Sequence, residues 1–246
     1  EDEREAWLSR DLRIWQALGK LKERISEVAR TGDGEPATTD DRRRAADRWY
    51  WLARAYESER QLTEALQAVR KAGDLAPQSI PIQRTLARIL EAQRNLIEAA
   101  QVFARLVTLD RRYRAEYLQQ LASLERQLGH REQALQAGRD LIAAAPDNPE
   151  FADFFAQLCF QLNAVDEGLD ALRRSARANS TDPSVLVRLA TALIDRQRGG
   201  EAIELLWRAF DKSPKLEDRL SIISKLIEAH ATSKQQSRVI ERLAKL

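Results

Sequence analysis

A small residue recurs at Ala65, Ala99, Ala134, Gly168 and Ala202, at intervals of 34, 35, 34 and 34 residues. Glu immediately precedes it at Glu64, Glu98, Glu167 and Glu201. A large-then-small pair keeps the same phase at Leu52-Ala53, Leu86-Ala87, Leu121-Ala122, Phe155-Ala156 and Leu189-Ala190. A fixed period of this length is the mark of a repeat architecture, in which each copy is one supersecondary unit. Trp49, Leu52, Ala53 and Tyr56 follow helical spacing, and Ala65, Val69 and Ala72 form a second stripe before Pro77. Each unit is therefore expected to be a helix-turn-helix whose small residues let the two helices approach closely. One such pair cannot bury its apolar stripe alone, so the units must stack.

The turns are predicted near Glu59-Arg60, Arg94-Asn95, Gly129-His130, Gln161-Asn163, Gly199-Gly200 and Thr232-Ser233. Pro77, Pro146 and Pro214 close three units because proline cannot continue a helix, and Pro149 and Pro183 open two more. The units span 46–79, 80–114, 115–148, 149–182, 183–216 and 217–246. The sixth continues with Leu220, Ile223-Ser224 and Ile227, but Gln236 stands at its small-residue position. Its second helix is atypical, and Val239, Ile240, Leu243 and Leu246 are expected to leave an exposed apolar edge there.

The period, the Trp49-x2-Leu52-Ala53-x2-Tyr56 run, Ala65, Ala72 and Pro77 resemble the tetratricopeptide repeat (TPR). The resemblance covers 46–246, as five full repeats and a degenerate sixth. It implies an all-α, right-handed solenoid of antiparallel helix pairs that serves as a scaffold for protein–protein interaction. Four residues depart from the pattern: Glu125 and Gly138 in the third repeat, Ala152 and Cys159 in the fourth. They call into question how tightly those two repeats pack.

Residues 1–31 read as one long helix with Trp7, Ile14, Leu18, Leu21, Ile25 and Val28 along one stripe. Either the stripe caps the first repeat, or it forms a short coiled-coil seam through which residues 1–31 dimerise. Trp15, Leu18 and Gly19 precede Trp49, Leu52 and Ala53 by 34 residues, but no second helix fits before the linker. Residues 31–41, rich in Gly, Pro, Thr and Asp, are expected to form a loop, and 32–45 to form the linker and helix start. Asp40 or Asp41 is the expected N-cap of the following helix.

Forty Lys and Arg against 38 Asp and Glu give a formal charge of +2, which provides no bulk electrostatic footprint for nucleic acid or membrane. The single cysteine excludes an internal disulfide and a cysteine-based metal site; it fits a reducing compartment, and a cytoplasmic location is expected. No apolar run is long enough to span a bilayer. Methionine is absent even at position 1, so the chain is expected to be a piece of a longer protein or a processed form. No phosphate-binding loop, dinucleotide fingerprint, zinc-protease or hydrolase motif occurs. Cys159 falls on an inward helical position with no histidine near it in sequence or phase. His130 and His230, the only histidines, lie three repeats apart. No catalytic residue, cofactor or metal is expected, and the chain is not expected to be an enzyme.

The resemblance further implies that the first helix of each unit lines a concave groove. Tyr50, Arg54, Arg84, Arg88, Gln119, Ser123, Arg126, Asp153 and Gln157 are the expected lining. Arginine forks grip carboxylates in pairs, so the arginines around Tyr50 suggest an acidic peptide segment as partner. The opposing expectation is that these arginines pair with Glu57, Glu91 and Glu116. The Lys/Asn set of chaperone-tail-binding repeats is not reproduced. Two other readings are self-assembly of a larger protein and, with less support from the charge balance, RNA binding.

Overall fold

The computed structural model describes residues 2–17, 20–30, 38–179 and 181–233, with side chains described within those spans from Arg10 to Ala231. The described residues form helices and no strand. Their contacts divide the chain into two compact units, Glu1–His130 and Arg131–Leu246. The first holds α1 (Asp2–Ala17), α2 (Leu21–Arg30), α3 (Thr39–Ser58), α4 (Leu62–Leu75), α5 (Ile80–Ala92), α6 (Leu96–Leu109) and α7 (Arg114–Gln127). The second holds α8 (Arg131–Ala144), α9 (Pro149–Gln161), α10 (Val165–Ala178), α11 (Pro183–Ile194), α12 (Gly199–Lys212) and α13 (Leu216–Ser233). The division falls inside the third sequence repeat, between α7 and α8. Within each unit, helices consecutive in sequence pack as pairs: α3 with α4, α5 with α6, α9 with α10 and α11 with α12.

The first five repeats turn the same way. Arg60, Arg94, Gly129, Asn163 and Gln197 have φ of 60°, 61°, 79°, 59° and 60°. The N–H after each donates back five residues: Gln61 to Tyr56, Asn95 to Leu90 and His130 to Glu125 at 2.9 Å, Ala164 to Cys159 at 2.7 Å, Arg198 to Leu193 at 2.9 Å. This is a Schellman closure, which satisfies the last carbonyls of the first helix and reverses the chain. The fifth turn sits at Gln197, just before the Gly199-Gly200 pair expected to form it, because those glycines open α12. Only Gly129 among the five is glycine. An added Cβ there would meet nothing within 4 Å, so its requirement is conformational. Gly129→Ala should cost about 1 kcal/mol of stability in urea unfolding; no loss would show that the turn relaxes out of the left-handed region.

The small residues that mark the period are buried: Ala53, Ala65, Ala87, Ala99, Ala122, Ala134, Ala190 and Ala202 are all 0% exposed. Around them pack Leu52, Val69, Ile89, Leu90 and Leu106 in the first unit, and Leu169, Leu186, Leu193 and Leu206 in the second. Asn148 and Asp182 cap α9 and α11 by accepting from N–H groups two or three residues on, ahead of Pro149 and Pro183 in the first helical turn. The departure at Gly138 in repeat 3 is filled by a regular residue of repeat 4. A Cβ on Gly138 would lie 2.3 Å from Cδ2 of Phe155, so the phenylalanine ring occupies the volume that a larger residue at 138 would fill. Cys159 is fully buried, and burial pushes its thiol up to about 12, which suits an inert core position.

The Glu residues before the small-residue positions also acquire a role. Arg70 pairs with Glu98 at 2.5 Å, Arg139 with Glu167 at 2.6 Å and Arg173 with Glu201 at 3.1 Å. Each pair links the second helices of successive repeats and spans 28 residues of sequence. At the intervening position the sequence has Ala104 and Gln133 in place of Arg and Glu. Surface pairs of this kind contribute roughly 0–1 kcal/mol each, so they steer register more than they stabilise.

Three expectations for the ends need correction. The single helix over 1–31 is two helices, α1 and α2, and Gly19, a poor helix former, lies in sequence between them. A second helix therefore does fit before residue 31. Leu12, Leu21 and Ile25 are buried in the core of the first unit with Trp15 and Val28 packed against it, whereas Ile14 is 51% exposed. Trp7 and Leu18 lie outside the residues whose side chains are described. The cap of α3 is Thr38, not Asp40 or Asp41: its hydroxyl accepts from the Asp41 N–H, and both aspartates sit in the first turn. Residues 31–37 lie outside the described residues. In α13 the helix continues through Ser233, past the turn expected at Thr232-Ser233. Ile222, Leu226 and Ala229 face the core of the second unit, while Leu220 and Ile227 are each 57% exposed. The apolar positions at Val239, Ile240, Leu243 and Leu246 lie outside the described residues.

Candidate partner-binding surfaces

In the first unit, the predicted lining residues are drawn into contacts within the protein. Tyr50 is buried at 3% exposure, so it does not present an open aromatic face. Its position on α3 faces the neighbouring helices, and its hydroxyl accepts from Arg54 Nη1 at 3.3 Å. Arg88 on α5 pairs with Glu57 on α3 at 2.7 Å. Arg84 donates through Nε to the Tyr117 hydroxyl and through Nη2 to Asp110 at 2.6 Å. Tyr117 in turn donates to Asp110 at 2.8 Å. The guanidinium of Arg84 also lies 4.5 Å from the ring centroid of Tyr113 and 5.6 Å from that of Tyr117. Gln119 and Ser123 are half-buried on α7, and Arg126 is exposed near its end.

This closed polar triangle is absent from the sequence reading, which places Arg84 in the groove and misses Asp110. Asp110 is buried at 7% exposure. Burial alone would raise its carboxyl, but hydrogen bonds from Tyr117, Arg84 and the Arg112 backbone hold it below the usual range. Burial, together with donation to Asp110, pushes the Tyr117 hydroxyl up to about 12. The arginine is thus occupied by a neighbour on the inter-repeat loop. The pairing of Arg88 with Glu57 follows the opposing expectation, and Glu91 is half-buried with its carboxyl raised by burial.

The second unit is different. Asp153 and Gln157 on α9 line a cleft of about 440 Å³ together with residues of α11 and α13 and the turn after α11. Phe160, Leu172, Val187 and Ala192 supply apolar surface; Arg188, Arg196, Lys225, Asp153 and Asp195 supply charge. Arg188 pairs with Asp153 at 2.8 Å. Burial raises the Asp153 carboxyl, and Arg188 opposes that rise. The Arg196 guanidinium stacks 3.2 Å from the Phe160 ring centroid and donates to the Ala192 carbonyl at 2.9 Å. Its Nε is buried without a partner. Lys225 has no ion-pair partner among the described residues.

Arg54, Arg88, Ser123, Gln157, Thr191 and Lys225 occupy one and the same position of the repeat. Arg188 and Arg196 lie at others, which is why reading by phase passes over them. The corresponding positions to Arg188 hold Trp51, Thr85 and Ile222, which are buried, Phe154, which is half-buried, and Gln120, which is exposed, so phase gives no signal for it. Two further clefts in the second unit, of about 450 and 300 Å³, lie beside the Arg173–Glu201 and Arg139–Glu167 pairs, so ion pairs already bridge their rims. Among the described residues no group of His, Cys, Asp and Glu could hold a metal, and no helix is long and apolar enough to cross a membrane.

With the helix pairs and their turns in view, residues 46–79 match the family model described as Tetratricopeptide repeat. The chain has the tetratricopeptide-repeat fold. A TPR protein from Parabacteroides merdae is similar at 16% identity, with a TM-score of 0.54 over 82% of this chain and 78% of that one. Two structures of MamA are similar at 14% and 15% identity, with TM-scores of 0.52 and 0.50; they cover 68% and 65% of this chain and 91% and 93% of theirs. At these identities the likeness is one of fold. No curated protein matches the chain. The TPR repeats beyond residue 79 are carried here by their shared period, turns and buried small residues.

Proposed function

We propose that this TPR chain is a non-catalytic scaffold for protein–protein interaction, which holds a peptide segment of its partner against the first-helix side of the second unit. TPR arrays serve in general to bind proteins, and the resemblance points in that direction. The observation that supports this location is the cleft of α9, α11 and α13, where apolar surface lies beside charged groups that are not all paired with one another. Pockets that combine an apolar floor with a few polar groups are the usual form of a recognition site. In the first unit, the internal pairing of Arg84 and Arg88 leaves less charge for a ligand. That moves the emphasis away from the N-terminal acidic-segment site expected from sequence.

Selection of random displayed peptides on the intact chain tests this reading. A family of related peptides should emerge, and on binding they should slow amide hydrogen exchange in α9, α11 and α13. Protection confined to α3, α5 and α7 would return the site to the first unit, and failure to enrich any related family would sink the scaffold reading.

A further inference from the structure

Resting on that scaffold reading, we infer that the cleft of the second unit recognises a single carboxylate flanked by aliphatic side chains, as in a Leu-Glu-Leu segment of a protein partner. The charge balance of the cleft carries this. Its lining holds three cations, Arg188, Arg196 and Lys225, against two carboxylates, Asp153 and Asp195. One carboxylate is consumed: Asp153 sits 2.8 Å from Arg188. Asp195 follows α11 directly, is exposed to solvent and offsets part of the charge of Arg196 from there. One positive charge is left over, in a site where burial already penalises Arg196.

The guanidinium of Arg196 is also fixed in place. Phe160 covers one face and the Ala192 carbonyl takes one N–H. A planar donor held in this way loses little freedom when a carboxylate binds. Lys225 on α13 supplies a second, mobile donor. Val187, Ala192, Leu172 and Ala156 around Phe160 give apolar surface that suits aliphatic neighbours, and the uncharged polar lining is confined to Gln157 and to Thr191, whose hydroxyl donates to the Val187 carbonyl. About 440 Å³ holds two or three side chains and no folded domain.

The probe is a pair of blocked pentapeptides, Ala-Leu-Glu-Leu-Ala and its glutamine counterpart, titrated into the intact isotope-labelled chain and followed by NMR. The glutamate peptide should move resonances of Thr191, Arg196 and Lys225 and bind at least tenfold more tightly than the glutamine peptide. K225Q should bring the two peptides within about twofold of each other. R196Q should do the same, and K225Q keeps the test open should the loss of Arg196 from Phe160 disturb folding. Equal affinity of the two peptides in the unaltered chain would overturn the carboxylate proposal while leaving the scaffold reading intact. Shifts outside this cleft would overturn the proposed site. Binding of neither peptide, alongside successful selection of other peptides, would likewise overturn the proposal alone; failure of both experiments would remove the scaffold reading with it.

Discussion

Gly138→Leu should destabilise the second unit by about 2 kcal/mol, although by sequence pattern it restores a large residue where the repeat usually has one. Glycine within α8 costs about 1 kcal/mol of helix propensity relative to alanine, so propensity alone predicts a gain. Packing reverses the sign. The Cβ would stand 2.3 and 2.6 Å from two ring carbons of Phe155 and 3.2 Å from Leu158 Cδ2. Phe155 is 4% exposed and borders the cleft of about 300 Å³ beside the Arg139–Glu167 pair, so its ring can yield to leucine only by leaving its packed position for that cleft. Overpacking of this kind costs about 1–3 kcal/mol and outweighs the propensity gain. Phe155→Ala alone should cost about 3–5 kcal/mol by leaving a cavity. With both changes in one chain, leucine fills the space the ring has vacated, and the double variant should be more stable than Phe155→Ala alone. Urea unfolding gives the four stabilities, and hydrogen exchange in α8 and α9 locates the loss. Simple additivity of the two costs would refute the shared-volume account.

The second large effect is alkaline. Tyr117 has its hydroxyl pushed up to about 12 from the ordinary 10.0, first by burial and then by its bond to Asp110. The folded state therefore holds this proton more tightly than the unfolded state. Its stabilising contribution is complete below about pH 10 and is lost as pH rises from there towards 12. A shift of this size corresponds to about 3 kcal/mol. Tyr117→Phe should lower stability at pH 8 by roughly 1–2 kcal/mol, since one buried hydroxyl and its two bonds disappear. It should also flatten the fall in stability between pH 9.5 and 11.5 relative to the unaltered chain. The comparison cancels the titration of other tyrosines and of lysines. An equally steep alkaline fall in both chains would show that Tyr117 does not carry it. At the acid end the sign reverses: Asp110, held below the usual carboxylate range, contributes above the unfolded value and loses that contribution as pH falls through its folded value.

Both effects turn on contacts between one helix and a different element, and they mark where sequence reading ends. Arg84 and Gln157 show this from opposite sides. Their phase places them on first helices, and α5 and α9 are first helices. Phase does not tell what faces a side chain across the next repeat. Arg84 meets Asp110 and Tyr117, 26 and 33 residues on. Gln157 meets a cleft that Arg188 and Arg196 help to build. Tyr50 has the spacing of a groove residue and the burial of a core residue. Its alternation with Trp49 and Trp51 left no way to tell which ring would be covered.

The period, the helix-turn-helix unit and the buried small residues were determined by the sequence itself, because each depends on spacing within one helix or one turn. Ala65 and its equivalents are recognisable as close-approach positions whatever surrounds them. Tertiary structure alone decided which charges are spent internally and which remain for a ligand. Glu98, Glu167 and Glu201 receive arginines from the preceding repeat, Asp110 closes over Arg84, and Phe155 takes the volume that Gly138 leaves empty. Pairing and volume are properties of two surfaces in contact, so a pattern read along one strand of sequence cannot assign them.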